Sequence, residues 1–303
     1  MPARNEAAWI PITYDTNLIT RDDVASVIEK VGTRKNMTSD TVEQPRLLSG
    51  QVGGGSTLFE DTTDPSKVTM YSYQYNNKVT LDEAASEDSF VDDVNAYNAN
   101  FLKDLKLVHD NACLGVSGAR STTATDYRPF PSVYYTLTQA DSTAGYTANA
   151  NVLTPSALTY DVASGLLKKL ETSRFGNPRD LVVISHPALR DALRRIKDDT
   201  GMPIFKEGAT VNEDTLFGRP IEWTLGAIKT ANFQQVLSGS GGNPLIFVAN
   251  RNHLIDGHRV EPQARFIPAS INTTVLEHTI QHRARKGFVL TVPQAAAVLE
   301  VNA

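Results

Sequence analysis

The stretch Thr80–Gly115, TLDEAASEDSFVDDVNAYNANFLKDLKLVHDNACLG, decides how the rest of the chain is read. Phe90, Val94, Tyr97, Phe101, Leu105, Val108 and Ala112 recur at steps of three or four, which places them on one stripe of an α-helix. Thr80 with Glu83 three positions on fits a capping box, and Gly115 stands where a left-handed helix end is expected. Asp82, Glu83, Glu87, Asp88, Asp92 and Asp93 crowd the start, while Lys103 and Lys106 come later, an order that complements the helix dipole. A helix of about 30 residues is about 45 Å long at the usual rise. That exceeds the ordinary globular helix and predicts a spine for an elongated molecule.

On the N-terminal side, residues 1–48 are polar, with one short amphipathic run at Asp22–Val31 carrying Val24, Val27, Ile28 and Val31. So little apolar surface cannot close a core, so the reading is an extended arm, ended near Pro45, that orders only against another surface such as a neighbouring subunit. Residues 49–79 begin with the flexible run Gly53-Gly54-Gly55-Ser56 and end in the β-branched and aromatic run Val68–Val79. They read as an extended β-hairpin loop with a partner strand near Leu58 and Phe59. An isolated ribbon of that kind is marginal in water and needs a neighbour to lie on.

On the C-terminal side, Ser121–Val152 reads as surface loop and short strands, with little periodicity apart from a strand-like Ser132–Leu137. Thr154-Pro155 offers a cap and first-turn proline for a helix through Val162, Leu166 and Leu170, stopped by Gly176-Asn177-Pro178. An α+β unit follows. Leu181–Ile184 is a buried strand, Ser185-His186-Pro187 turns into a helix with Leu189, Leu193 and Ile196 inward, and Phe217–Trp223 is a turn entering a strand. Pro244–Ala249 is another strand, and Leu254–Val260 predicts a hairpin turning at Asp256-Gly257. Thr273–Val301 alternates again and predicts terminal strands that return to flank the spine.

The 303 residues are 41% hydrophobic and 21% charged, which suits a folded chain of two packed units. A formal charge of −5 argues against a protein that grips nucleic acid through a lysine and arginine surface. Cys113 is the single cysteine, which rules out an intrachain disulfide, and its place in the spine predicts a small buried hydrophobe. Met1–Ile10 has no signal-peptide core, and no run is apolar enough to span a membrane.

The search for chemistry returns no catalytic, cofactor-binding or metal site. His278 and His282 have helix spacing for a shared metal, but on a strand they stand about 13 Å apart and read as exposed. Gly53–Gly55 and Gly239–Gly242 lack the lysine of a phosphate loop. Ser185 beside His186 lacks the glycine framing of a hydrolase nucleophile and reads as a helix cap; Asp198-Asp199 reads as a solvated helix end. Arg283, Arg285 and Lys286 form a basic cluster read as a salt-bridged face or subunit contact, with a DNA-facing patch as the sharper alternative.

The order of parts (arm, ribbon, spine, α+β unit, returning strands) resembles a tailed-phage major capsid protein of the Hong Kong 97 type. The resemblance is carried by Val68–Val79 leading into the spine, by Cys113-Leu114-Gly115-Val116-Ser117-Gly118 at its exit, and by Leu181–Pro187, Leu193–Lys197, Gly201, Pro203-Ile204-Phe205 and Leu216–Ile221. Arg283–Lys286, Phe288 and Pro293 resemble the closing segment, so the likeness runs from about Leu47 onward. It implies an α+β fold with an N-terminal arm (1–48), an extended loop (49–79), a peripheral domain with the spine helix (80–179 and 266–303) and an axial domain (180–265). It further implies a structural protein, not an enzyme, assembled in the host cytoplasm into pentamers and hexamers of a virion shell enclosing double-stranded DNA. Separate scaffolding, decoration and portal proteins are the expected partners, with no cofactor and no membrane. The founding member's cross-link joins a loop lysine to a neighbour's asparagine with help from a glutamate. Here Lys67 lies on the ribbon, but the assisting position falls near Arg283 and no asparagine stands where the resemblance wants one, so a non-covalent shell is expected. An encapsulin-type nanocompartment shell and, more remotely, an α+β hydrolase using Ser185 are the alternative readings.

Overall fold

The computed structural model describes residues 25–48, 65–82, 93–123, 125–208, 213–268 and 277–302. Two sheets and the spine organise them. The first sheet contains β1 (Thr33–Asn36), β2 (Thr41–Arg46), β3 (Ser66–Asp82), β10 (Leu254–Ile267) and β11 (Glu277–Leu290) in the order β1-β10-β11-β3-β2. β11 is central, antiparallel to β10 on one side and to β3 on the other, and Phe288, Ala284 and Ile280 on it are fully buried.

Ahead of β1 lies α1 (Val27–Val31), and the spine is α2 (Asp93–Leu114). Its 22 residues make it about 33 Å long. Phe101, Leu105, Val108 and Ala112 are buried against the first sheet, as their spacing predicts, and Cys113 is buried beside them. Each such large apolar side chain contributes about 1.5–3 kcal/mol. The N-terminal end differs from expectation. Thr80 does not cap a helix; it belongs to β3, which stays paired to β11 as far as Asp82 opposite Glu277. Val79 and Leu81 alternate with polar neighbours, and a long partner strand overrides the local helical pattern. Phe90 and the acidic residues from Glu83 to Asp92 lie outside the described residues. Tyr97, on the predicted stripe, is 37% exposed.

The second sheet holds β4 (Val152–Leu153), β5 (Leu181–Ser185), β6 (Phe205–Lys206), β7 (Thr215–Leu216), β8 (Arg219–Trp223), β9 (Leu245–Asn250) and β12 (Ala296–Glu300), in the order β4-β12-β9-β5-β8-β7-β6. It packs against α4 (Tyr160–Glu171), through Leu166 and Leu170, and α5 (Arg190–Arg195), through Leu193, around a core of Val183, Ile246 and Leu299. The predicted strands and the Phe217-Gly218 turn are present; Phe217 and Gly218 have φ of 48° and 75°, as a tight hairpin turn demands. α4 begins later than expected, because Thr159 and not Thr154 accepts the capping bond, from the Val162 N–H.

Three further expectations fail in whole or in part. Ser121–Val152 is not surface throughout, and its strand-like Ser132–Leu137 is helical: Ser132 caps α3 (Val133–Thr138), and Phe130, Val133, Tyr134, Leu137 and Tyr146 are all buried in the main core. Its side chains recur at helical steps that the surrounding serines and threonines conceal. Asp256-Gly257 is not a turn, since β10 runs straight through it. A Cβ at Gly257 would meet the sulfurs of Met37 and Met70 at 2.7 and 2.9 Å, so glycine is there for close approach. Finally, the returning strands divide: β11 flanks the spine as expected, with His282 stacked on Phe101, whereas β12 inserts between β4 and β9 of the second sheet.

Candidate functional site

The arm has a seat within its own chain. α1 lies on the spine face of the first sheet, β1 pairs in parallel with Ile255–His258 of β10, and β2 pairs with β3 at the opposite edge. Residues Met37–Asp40 therefore strap the other face of the sheet between the two edges. Met37 packs with Met70, Ile255 and Val289 over Gly257 and Gly287, and the Asp40 carboxylate contacts both Arg259 and Arg285, the latter at 2.7 Å. The expectation that this part of the arm lacks a home in its own molecule is overturned for residues 26–46. The reason is ionic as well as apolar: the arm's few hydrophobes, Val27, Ile28 and Met37, are supplemented by charges that meet buried partners.

The deepest polar group that the arm meets is Asp110, near the end of α2. Its carboxylate accepts from Ser26 Oγ (2.6 Å), the backbone N–H groups of Val27 (2.9 Å) and Ile28 (3.2 Å), and Thr224 Oγ1 (2.9 Å). Burial raises its pKa above the ordinary value, against the pull of those four donors. Beside it Asn111 donates to the carbonyls of Gly226 and Ile228, both at 2.9 Å, and accepts from Thr230. The spine thus fastens arm and second unit at one end. Gly115 follows, but not as a left-handed cap: a Cβ there would lie 2.0 Å from the Ile228 carbonyl oxygen.

A second buried group lies under the arm. Tyr75 Oη meets His109 Nδ1 at 3.3 Å, His109 Nε2 meets Asp256 at 2.9 Å, and the other Asp256 oxygen meets His258 Nε2 at 2.7 Å. Burial would raise the Asp256 pKa, but His109 and His258 outweigh it and hold it at about 2. Hydrogen bonding to Asp256 raises the pKa of His258 in turn. Glu29 of α1 contacts the ammonium of buried Lys286, which lies directly across from His258. Burial pulls the Lys286 pKa to about 8, and the Glu29 carboxylate works in the opposite direction. Glu29, Asp256 and His258 bring ligand atoms within 4.8 Å of one another. With Lys286 on Glu29 and two imidazoles on Asp256, the group serves as an ionic fastening of arm to sheet.

The sequence-predicted candidates separate. Ser185 is fully buried at the end of β5, and its hydroxyl donates to the His186 carbonyl at 3.4 Å. It is not the cap; His186 Nδ1 accepts from the Ala188 N–H and takes that place. His282 is buried, correcting the exposed reading: it stacks on Phe101 (4.7 Å between ring centres) and meets Asn98 at 2.7 Å. His278 lies beside Phe266. Asp198 is no free helix end; it accepts from Thr200 and Met202 to shape a turn. In the basic cluster Arg285 and Lys286 are bound to Asp40 and Glu29, so the salt-bridged reading holds for both, while Arg283 is exposed. Lys67 pairs with Glu43 across the β2–β3 ribbon at 2.8 Å. That partner strand is Thr41–Arg46; Leu58, Phe59 and Gly53–Gly55 lie outside the described residues. Sequence reasoning missed Asp40, Asp110 and Asp256. The polar triplet His109-Asp110-Asn111, interrupting an apolar stripe, was the available signal.

The sequence model described as the phage capsid family matches residues 7–259. No curated protein matches the chain. Among solved structures, the capsid of a native GTA particle is similar at 13% identity and a TM-score of 0.70, covering 100% of this chain and 98% of its own. The capsid chain of an empty GTA particle gives 14% identity and 0.65, covering 98% and 97%. A chain from Mycobacterium phage Adephagia gives 15% identity and 0.67, covering 99% and 97%.

Proposed function

The chain belongs to the phage capsid family, and from that premise we propose that many copies close into an icosahedral shell of pentamers and hexamers around packaged double-stranded DNA. The observation that carries this reading is the family match over residues 7–259, supported by a shared fold along the whole length of solved capsid chains. Two of those were solved with five-fold symmetry, which fits a protein that packs around rotation axes. The role is structural. Ser185, the one residue that suggested hydrolysis, is fully buried with its hydroxyl turned to the His186 carbonyl.

The net charge of −5 suits a container wall that does not hold phosphate tightly. The proposed seat of the protein is the virion, reached by assembly in the host cytoplasm, with separate scaffolding, decoration and portal proteins as partners. The purified chain is expected to sediment as large particles without turnover of any substrate. A chain that stays a monomer at high concentration would contradict the reading.

A further inference from the structure

We propose that the cavity between the spine, β3 and the short helix α6 (Gln234–Leu237) is a binding site for a small organic ammonium ion of the diamine or polyamine class. The cavity holds about 250 Å³, more than the roughly 150 Å³ that accepts a benzene ring. Its floor is apolar and closed, built from the buried Phe101, Leu105 and Val108 of the spine. Leu237, 41% exposed, and the exposed Asn77 stand at its mouth, so a solute can enter from solvent.

The walls are rich in electrons. Phe233 is surrounded by three tyrosines, its ring centre 6.0 Å from that of Tyr73, 5.6 Å from Tyr75 and 5.5 Å from Tyr127, and all of them line the cavity. An aromatic face attracts a cation held within about 6 Å of its centre, more strongly as water is excluded. Asp104 of the spine brings a carboxylate to the same wall, and no lysine or arginine among the described residues lines it. That field opposes an anion and is unused by a neutral guest. An alkylammonium suits both parts of the site, with its methylene chain on the floor and its charge among the rings and the carboxylate. Burial, and after it the neighbouring Tyr127, raises the pKa of the Tyr73 phenol above its ordinary value. The phenol therefore stays an uncharged hydroxyl whose oxygen can accept from an N–H.

The box is held together by a strained residue. Tyr127 has a φ of 51°, a left-handed conformation that bulky side chains rarely adopt. The Phe233 N–H donates to the Tyr127 carbonyl at 3.3 Å, which keeps the two rings side by side. Core packing does not account for the strain, since Tyr127 is only half-buried, and strain kept at such a position points to a task for the ring. Tyr75 also connects the cavity to the arm's seat: its ring lines the one, and its hydroxyl meets His109 in the other.

Titration of the full-length chain with hexanediamine at constant ionic strength, followed by calorimetry and by Tm, tests this against hexanediol, its uncharged counterpart. The diamine is expected to bind and to raise the Tm, and the diol at equal concentration to do neither. Tyr127→Asn removes the ring while supplying a residue that tolerates the left-handed backbone. It is expected to leave the Tm no lower than that of the unaltered chain and to weaken the diamine about 10-fold. Asp104→Asn is an independent check and is expected to weaken the diamine in the same direction. Equal effects of diamine and diol would show a plain apolar cavity, and no effect of either would show a closed one. Diamine binding unchanged in both variants would place it on surface carboxylates elsewhere. Each of these three results overturns the proposal and leaves the capsid reading intact.

Discussion

Asp256 shows how one residue ties the arm's seat to solution conditions. Its folded pKa of about 2 lies below the ordinary 3.8. The stabilisation is therefore present above about pH 4 and lost as pH falls toward 2, and it amounts to about 2 kcal/mol. Asp256→Asn is expected to flatten the urea-measured stability profile across that acid window, while the unaltered chain slopes steeply. His258 behaves oppositely: its raised pKa gives stability below the ordinary imidazole value that fades as pH rises through the folded one. Glu29→Ala leaves the Lys286 ammonium buried without its partner and is expected to cost about 3 kcal/mol. Adding Lys286→Met is expected to recover most of that loss; additive losses in the double variant would show that the pair is not coupled.

Elements were legible in proportion to how local their causes are. The buried runs Leu181–Ile184 and Pro244–Ala249 read as strands at sight, and the Phe101–Ala112 stripe read as helix, because burial and periodicity are written in consecutive residues. Thr80–Asp82 and Asp256-Gly257 misled because their state is imposed by partners roughly two hundred residues away or by sulfurs approaching from the arm. The two glycines under the strap give a test at this scale. A Cβ at Gly287 would stand 2.6 Å from the Tyr71 carbonyl oxygen, a backbone atom held in the ladder, whereas at Gly257 the nearest obstacles are methionine sulfurs. Gly287→Ala is thus expected to cost about 3 kcal/mol and Gly257→Ala about 1 kcal/mol in urea titrations. Equal costs would mean that the strap is as rigid as the ladder.

Over the whole molecule, the succession of arm, ribbon, spine and α+β unit was enough to identify the class of fold, while the arm's docking was not. Polar arms look homeless in sequence because a carboxylate such as Asp40 gives no hint that Arg259 and Arg285 converge on it. Lys67 is engaged by Glu43 of its own ribbon, which fits a shell held by non-covalent contacts. Particles boiled in denaturant are accordingly expected to run as a single band near 33.1 kDa, and a ladder of multiples would refute that. The central claim is that this chain builds a closed container from copies of itself. Electron microscopy of the purified protein tests it most directly: uniform icosahedral shells are predicted, and a field of dispersed single chains with no closed particles would contradict it.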